Sequence, residues 1–132
     1  MARVAFDSCF LIDFERERAG KRVTNSARAF LMKNPTLELT ICPIALGEFA
    51  IGFSDRFHPT LIKVMENFEL LPTSSEVSIV YARLYRDLSE SKSMIGSNDL
   101  WIAAYSVATD LPLVTNNTRE FIRIDGLKIL GY

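Results

Sequence analysis

The chain is short of the residues that most often carry enzyme chemistry, with one histidine and two cysteines in 132 residues. A Ser-His-Asp triad would have to use His58, and no G-x-S-x-G elbow surrounds any serine. His58 instead stands beside a helix start in RFHPTL and reads as structural. Cys9 and Cys42 have neither the number nor the spacing of a disulfide framework or a zinc site. They read as small buried hydrophobes in a reducing compartment. With six glycines, none arranged as a phosphate-cradling loop, nucleotide-binding fingerprints are absent too. The formal charge of −1 and isoelectric point of about 5.8 exclude nucleic-acid affinity based on overall basicity. No apolar run approaches a membrane span, and the first residues lack a leader pattern, so a cytoplasmic protein with no membrane contact is expected.

What is present suits one well-packed domain spanning residues 1–132, since 48% of the residues are hydrophobic. Short apolar runs at Arg3 to Phe6, Glu38 to Ile44, Leu70 to Pro72, Pro112 to Thr115 and Leu127 to Leu130 predict strands. Helical periodicity lies between them, clearest in Ser75 to Ser91, where Val77, Val80, Tyr81, Leu84 and Leu88 recur on one face. Thr24-Asn25-Ser26 reads as the cap of a second helix, and a third carries Leu46, Phe49, Ala50 and Phe53. The alternation predicts an α/β fold: a three-layer α/β/α sandwich with a mainly parallel sheet of four to five strands.

Three acids stand far apart in sequence, each where a predicted strand gives way to a predicted helix: Asp7, Glu48 and Asp99. Asp7 and Asp99 could each serve as a helix cap, and Glu48 as a solvated helical acid. Together they suggest more, because the carboxyl ends of parallel strands converge on one crevice. Like charges so close require a shared proton or a cation, and an all-oxygen donor set suits Mg²⁺ or Mn²⁺. Carboxylates holding such a cation are suited to phosphodiester hydrolysis, in which water is activated and charge on the phosphoryl oxygens neutralised. From Arg18 to Leu37 the chain has no Asp or Glu, and Arg18, Lys21 and Arg22 there could form a basic flank that attracts a nucleic acid.

At these residues the chain resembles the PIN-domain nucleases and, within them, the VapC toxins of bacterial toxin–antitoxin pairs. The opening motif is Phe6-Asp7-Ser8; the second acid stands in Glu48-Phe49-Ala50-Ile51-Gly52; the third, most specific stretch is Ile95-Gly96-Ser97-Asn98-Asp99-Leu100-Trp101-Ile102-Ala103-Ala104. Leu113-Val114-Thr115-Asn116-Asn117-Thr118-Arg119-Glu120-Phe121 is similar to the family's strand-and-turn motif, with Asn117 where a fourth acid is usual. Two further departures are Ala45, where Thr or Ser is frequent, and the ending ILGY, which lacks a Trp common in relatives.

The resemblance implies a Mg²⁺- or Mn²⁺-dependent endoribonuclease, a cognate VapB-like antitoxin that masks the site, and a homodimer or toxin–antitoxin hetero-oligomer. It assigns Asp7, Glu48 and Asp99 to the metal, with Asn117 as a weak ligand or a partner of bound water. Ser8, Asn98, Thr115 and Asn116 support them, and Arg119 joins Arg18, Lys21 and Arg22 as an RNA contact. Without a fourth carboxylate, one firmly held metal is expected over two. The Thr-Asn-Asn-Thr-Arg-Glu-Phe stretch makes transfer RNA the expected substrate. Phe49, Phe53 and Phe57 recur at helical spacing and could receive an apolar antitoxin helix, although Phe49 and Phe53 also read as core. The competing function is a catalytically silent PIN-like module that binds RNA or protein.

Overall fold

The computed structural model describes residues 2–21 and 24–132; Arg22, one of the expected RNA contacts, lies outside the described residues. Five strands, β1 (Arg3–Phe6), β2 (Glu38–Ile41), β3 (Glu69–Leu70), β4 (Leu113–Val114) and β5 (Ile129–Leu130), form one sheet in the order β3-β2-β1-β4-β5. Every pairing is parallel, with Phe6 opposite Ile41 on one side and Val114 on the other. The strands are two to four residues long; β1 matches its predicted run, and the other four are shorter than theirs. Pairing there ends where the chain turns into helices and connections.

The helices are α1 (Ser8–Arg18), α2 (Ser26–Lys33), α3 (Pro43–Ala50), α4 (Pro59–Asn67), α5 (Ser75–Glu90), α6 (Ser97–Thr109) and α7 (Thr118–Phe121). With right-handed crossovers, the connections from β1 to β3 put α1 to α4 on one face, and the return to β4 puts α5 and α6 on the other. This is the expected three-layer sandwich. Phe6, on the central strand, packs edge-on or tilted against Phe10, Phe30 and Phe68 at ring separations of 4.7, 6.2 and 5.4 Å. β1 therefore anchors the core on the face that carries α1 and α2. On the other face, α6 buries Leu100, Ile102, Ala103 and Ala104, as its nearly unbroken apolar sequence requires.

Three of the described helix starts are capped by the side chain of the residue before them. Ser74 accepts from the Val77 amide at α5, the Cys42 thiol sulfur from the Ala45 amide at α3, and His58 Nδ1 from the Thr60 amide at α4. The single histidine is thus structural. Residues 24–26 do not cap α2 in the expected way, because Asn25 makes no side-chain cap bond. Glu17, buried near the end of α1, supplies it from a distance: its two carboxylate oxygens accept from the Ala27 and Arg28 amides at 3.1 and 3.0 Å. A negative charge there also suits the α2 dipole. Helix α3 begins at Pro43 and ends at Ala50, so Phe53 and Phe57 lie beyond it and the three phenylalanines do not form one helical stripe.

Glu17→Ala is expected to destabilise the protein by about 2 kcal/mol, because the buried Ala27 amide and the part-buried Arg28 amide lose a charged acceptor. Glu17→Gln, which keeps one acceptor oxygen, should cost less. Urea unfolding monitored by circular dichroism measures both.

Candidate active site

The carboxyl ends of β1 and β4, at the centre of the sheet, bring Asp7 and Thr115 side by side. The Asp7 amide donates to the Val114 carbonyl at 3.0 Å, extending the ladder one step beyond the strands. Asp7 occupies the position that begins α1, yet its side chain makes no cap bond, so helix capping does not account for it. The carboxylate is 3% exposed and is held through Oδ2, which accepts from the Thr115 hydroxyl at 2.8 Å and the Cys9 thiol at 3.3 Å. Oδ1 has a 3.5 Å approach from the Ser8 hydroxyl. That hydroxyl also points at Glu48 Oε1, at 3.0 Å, the shorter contact and the better home for its single proton.

Glu48 comes from the second turn of α3, and its other oxygen faces the Asn98 amide nitrogen at 3.4 Å. Asn98 and Asp99 belong to the first turn of α6, whose starting residue is Gly96. Asp99 is therefore inside the helix and is not its cap. Its carboxyl is pushed up to about 7, first by burial, then by a hydrogen bond with Glu120, and further by the charges of Asp7, Glu120 and Glu48. The three acids expected to meet do meet, and a fourth stands with them.

Glu120 was not among the expected site residues. Asn117 and Glu120 lie three residues apart at the start and within the single turn of α7, and the Asn117 amide nitrogen approaches Glu120 Oε2 at 3.4 Å. A carboxylate thus stands one turn beyond position 117, faced by the Asn117 side chain and close enough to Asp99 to share a hydrogen bond with it. A carboxylate one helical turn beyond the usual position, on the same helix face, is the signal that would have identified it.

The supporting residues are also in place. Ser8 links Asp7 and Glu48, Asn98 faces Glu48, and Thr115 holds Asp7 while accepting from the Asn117 amide at 3.0 Å. Asn116 turns away from the acids and donates to Asp13 at 3.2 Å. Of the basic flank, Arg18 and Lys21 are among the described residues. Arg18 sits ten residues along α1, roughly 15 Å from its start, and pairs with Glu15 at 2.6 Å. Lys21 is exposed just beyond it, whereas Arg119 is exposed on α7 directly before Glu120.

The donor chemistry fits a hard divalent cation: oxygen ligands, concentrated negative charge and one carboxyl that burial, with its acidic neighbours, leaves reluctant to ionise. Among the described residues, no three His, Cys, Asp or Glu side chains are drawn close enough to enclose an ion. Neutral donors hold Asp7 and Glu48 individually, and repulsion opposes closer approach. The long side chains of Glu48 and Glu120, both half-buried, have the torsional freedom to close the set.

The fold and this centre together define a PIN domain, and the PIN-domain family model matches residues 4–127. A ribonuclease VapC from Rickettsia bellii is 36% identical over 68% of this chain and 73% of its own length. Ribonuclease VapC2 from Rickettsia felis is 30% identical over 74% and 75% of the two chains. A crystal structure of VapBC2 from Rickettsia felis bound to a DNA fragment from its promoter contains a chain that superposes with a TM-score of 0.81, at 25% identity and 98% coverage of both chains. The chain belongs to the PIN-domain family, in its VapC ribonuclease branch.

The raised Asp99 carboxyl has a consequence for stability. An acid with a folded pKa of about 7 against 3.8 when unfolded holds its proton more tightly in the folded state. Without metal, its contribution is present at acid pH and is lost as pH rises between those values. Thermal melts in a chelator should show this decline for the natural chain between about pH 4 and about pH 7, and a flatter profile for Asp99→Asn.

Proposed function

We propose that this protein is a Mg²⁺- or Mn²⁺-dependent endoribonuclease and the toxin of a toxin–antitoxin pair. The observation that carries the reading is the convergence of Asp7, Glu48, Asp99 and Glu120 at the carboxyl end of the parallel sheet, with Asp99 raised to about 7 by burial and its acidic neighbours. Asp7, Asp99, Glu48 and Glu120 are the residues that would hold the cation, which when bound would supply a Lewis acid that activates water and offsets charge on the phosphoryl group. Thr115 and Cys9 keep Asp7 in place through its Oδ2. Ser8 and Asn98 orient Glu48, and Asn117 orients Glu120. Arg119, exposed at the rim, meets the RNA backbone, and transfer RNA is the proposed substrate class.

The partner reading has a physical site as well. Between α1, α2 and α4 lies a groove of about 540 Å³, lined by Phe10, Phe14, Leu31, Phe49, Val64 and Phe68 with Arg18 and Lys63 at its edge. Since similar chains are solved as VapBC complexes, an apolar segment of a VapB-like antitoxin is its proposed occupant. Phe49 contributes from its buried position, whereas Phe57, 69% exposed, lies outside this lining. The protein then works as a toxin–antitoxin hetero-oligomer or, released, as a homodimer. Among the described residues, no helix is long and apolar enough to cross a membrane.

The purified, antitoxin-free protein should cleave transfer RNA with Mn²⁺ or Mg²⁺ and lose that activity in a chelator. Asp7→Asn and Asp99→Asn should each lower cleavage at least about a hundredfold without altering the circular dichroism spectrum. Full activity in either variant would remove the assignment, and failure of the natural protein to cleave any RNA would favour a silent binding module. Because Asp99 must lose its proton to bind the ion, Mn²⁺ affinity measured by calorimetry should rise as pH passes upward through about 7.

A further inference from the structure

Behind Asp7, on the side away from the other acids, lies a second polar cluster that the catalytic reading does not use. Tyr132, two residues beyond β5, places its hydroxyl 2.6 Å from Asp13 Oδ2 and 3.5 Å from the Cys9 sulfur. Its ring packs edge-on against Phe10 at 4.8 Å. Asp13 is 6% exposed, and its Oδ2 also accepts from the Asn116 side chain at 3.2 Å. The Cys9 sulfur lies 3.3 Å from Asp7 Oδ2 and 3.4 Å from the Thr115 hydroxyl.

The protons available decide how these contacts share the work. A tyrosine hydroxyl has one proton, and the 2.6 Å contact to the Asp13 carboxylate is a short, charge-assisted bond that claims it. The Cys9 sulfur, at 3.5 Å, is therefore braced by the tyrosine oxygen and does not receive that proton. Cys9 has one proton as well. Thr115 spends its own on Asp7 Oδ2, so the thiol proton is free to point at the same oxygen.

Two routes thus lead from Tyr132 to the acidic centre. One is its packing contact with Cys9, whose thiol donates to Asp7. The other is hydrogen-bonded and runs through Asp13 to Asn116, the residue before Asn117, whose side chain faces Glu120. This second route joins α1 to the turn after β4, two segments 103 residues apart in sequence.

We infer that Tyr132 is a positioning residue for the acidic centre: through Cys9 and through the Asp13–Asn116 bridge, it sets where Asp7 and the 116–120 turn stand relative to each other. The inference rests on the proposed metal-dependent activity. Carboxylates can share an ion only at a fixed spacing, and residues behind metal ligands commonly change metal affinity tenfold or more. Tyr132→Phe keeps the ring on Phe10 and removes only the hydroxyl.

The test compares natural protein, Tyr132→Phe and Asp13→Asn in three measurements: melting temperature, Mn²⁺ affinity by calorimetry without RNA, and kcat and KM for RNA cleavage. Tyr132→Phe is expected to weaken Mn²⁺ binding about tenfold and lower kcat to a similar degree, with KM for RNA unchanged. Asp13→Asn should reproduce that loss, since it weakens both the tyrosine and the Asn116 bonds. A variant that melts earlier but binds Mn²⁺ within twofold of the natural protein would overturn the inference and leave Tyr132 a purely structural residue. Absence of Mn²⁺ binding and cleavage in the natural protein would instead overturn the proposed activity, so the two failures are distinct.

Discussion

The hydrogen bond between the Thr115 hydroxyl and Asp7 Oδ2, 2.8 Å long, is the contact on which the centre of this molecule depends. A carboxylate as buried as Asp7 survives only with donors around it, because desolvating a charge costs far more than a single bond returns. Thr115 and Cys9 provide them, and both are available because β1 and β4 lie side by side in the sheet. The same pairing that builds the sheet therefore makes the buried charge tolerable. Phe6, one residue earlier on β1, fills the aromatic core, so the change from apolar interior to acidic crevice takes place across one peptide unit.

Helix starts divide according to the end of the molecule they serve. Helices α3, α4 and α5 are closed by Cys42, His58 and Ser74, and α2 by the remote Glu17. At α1, α6 and α7, which contribute Asp7, Asp99 and Glu120, no side-chain cap forms. The polar side chains at those junctions are spent on one another instead. Asp7 in particular has the residue type and position of a cap, yet its oxygens face Thr115 and Cys9. Capping and site chemistry compete for the same oxygen atoms, and here the site takes them.

Much of this arrangement was legible in the linear order of residues. Asp7, Glu48 and Asp99 could be read as one centre because each follows an apolar strand, and parallel strands expose their carboxyl ends on one edge. His58 could be read as structural because proline follows it at a helix start. Glu120 could not be found in the same way. Position 117 is an amide, and whether an acid three residues on reaches the centre depends on α7 being a helical turn and not an extended loop. Similarly, Arg18 could be read as part of a basic flank of the site, but it stands at the far end of α1, roughly 15 Å from that helix's start, paired with Glu15. The phenylalanine stripe failed because Gly52 and Phe53 follow the end of α3, so helical spacing at 49, 53 and 57 had no helix to run along.

By itself, the sequence determined the class of fold and the chemical character of the centre. Alternating apolar runs and helical periods permit little besides a covered parallel sheet, and scarcity of histidine and cysteine leaves carboxylates to do the work. Tertiary structure alone decided that Asp7 is held through Oδ2, that Glu120 stands beside Asp99, and that Tyr132 and Asp13 pack against the same helix start. Those outcomes rest on contacts between segments up to 123 residues apart, such as Cys9 and Tyr132. Periodicity and spacing report the local backbone; the meeting of distant side chains depends on sheet order and helix length, which appear only once the chain has closed on itself.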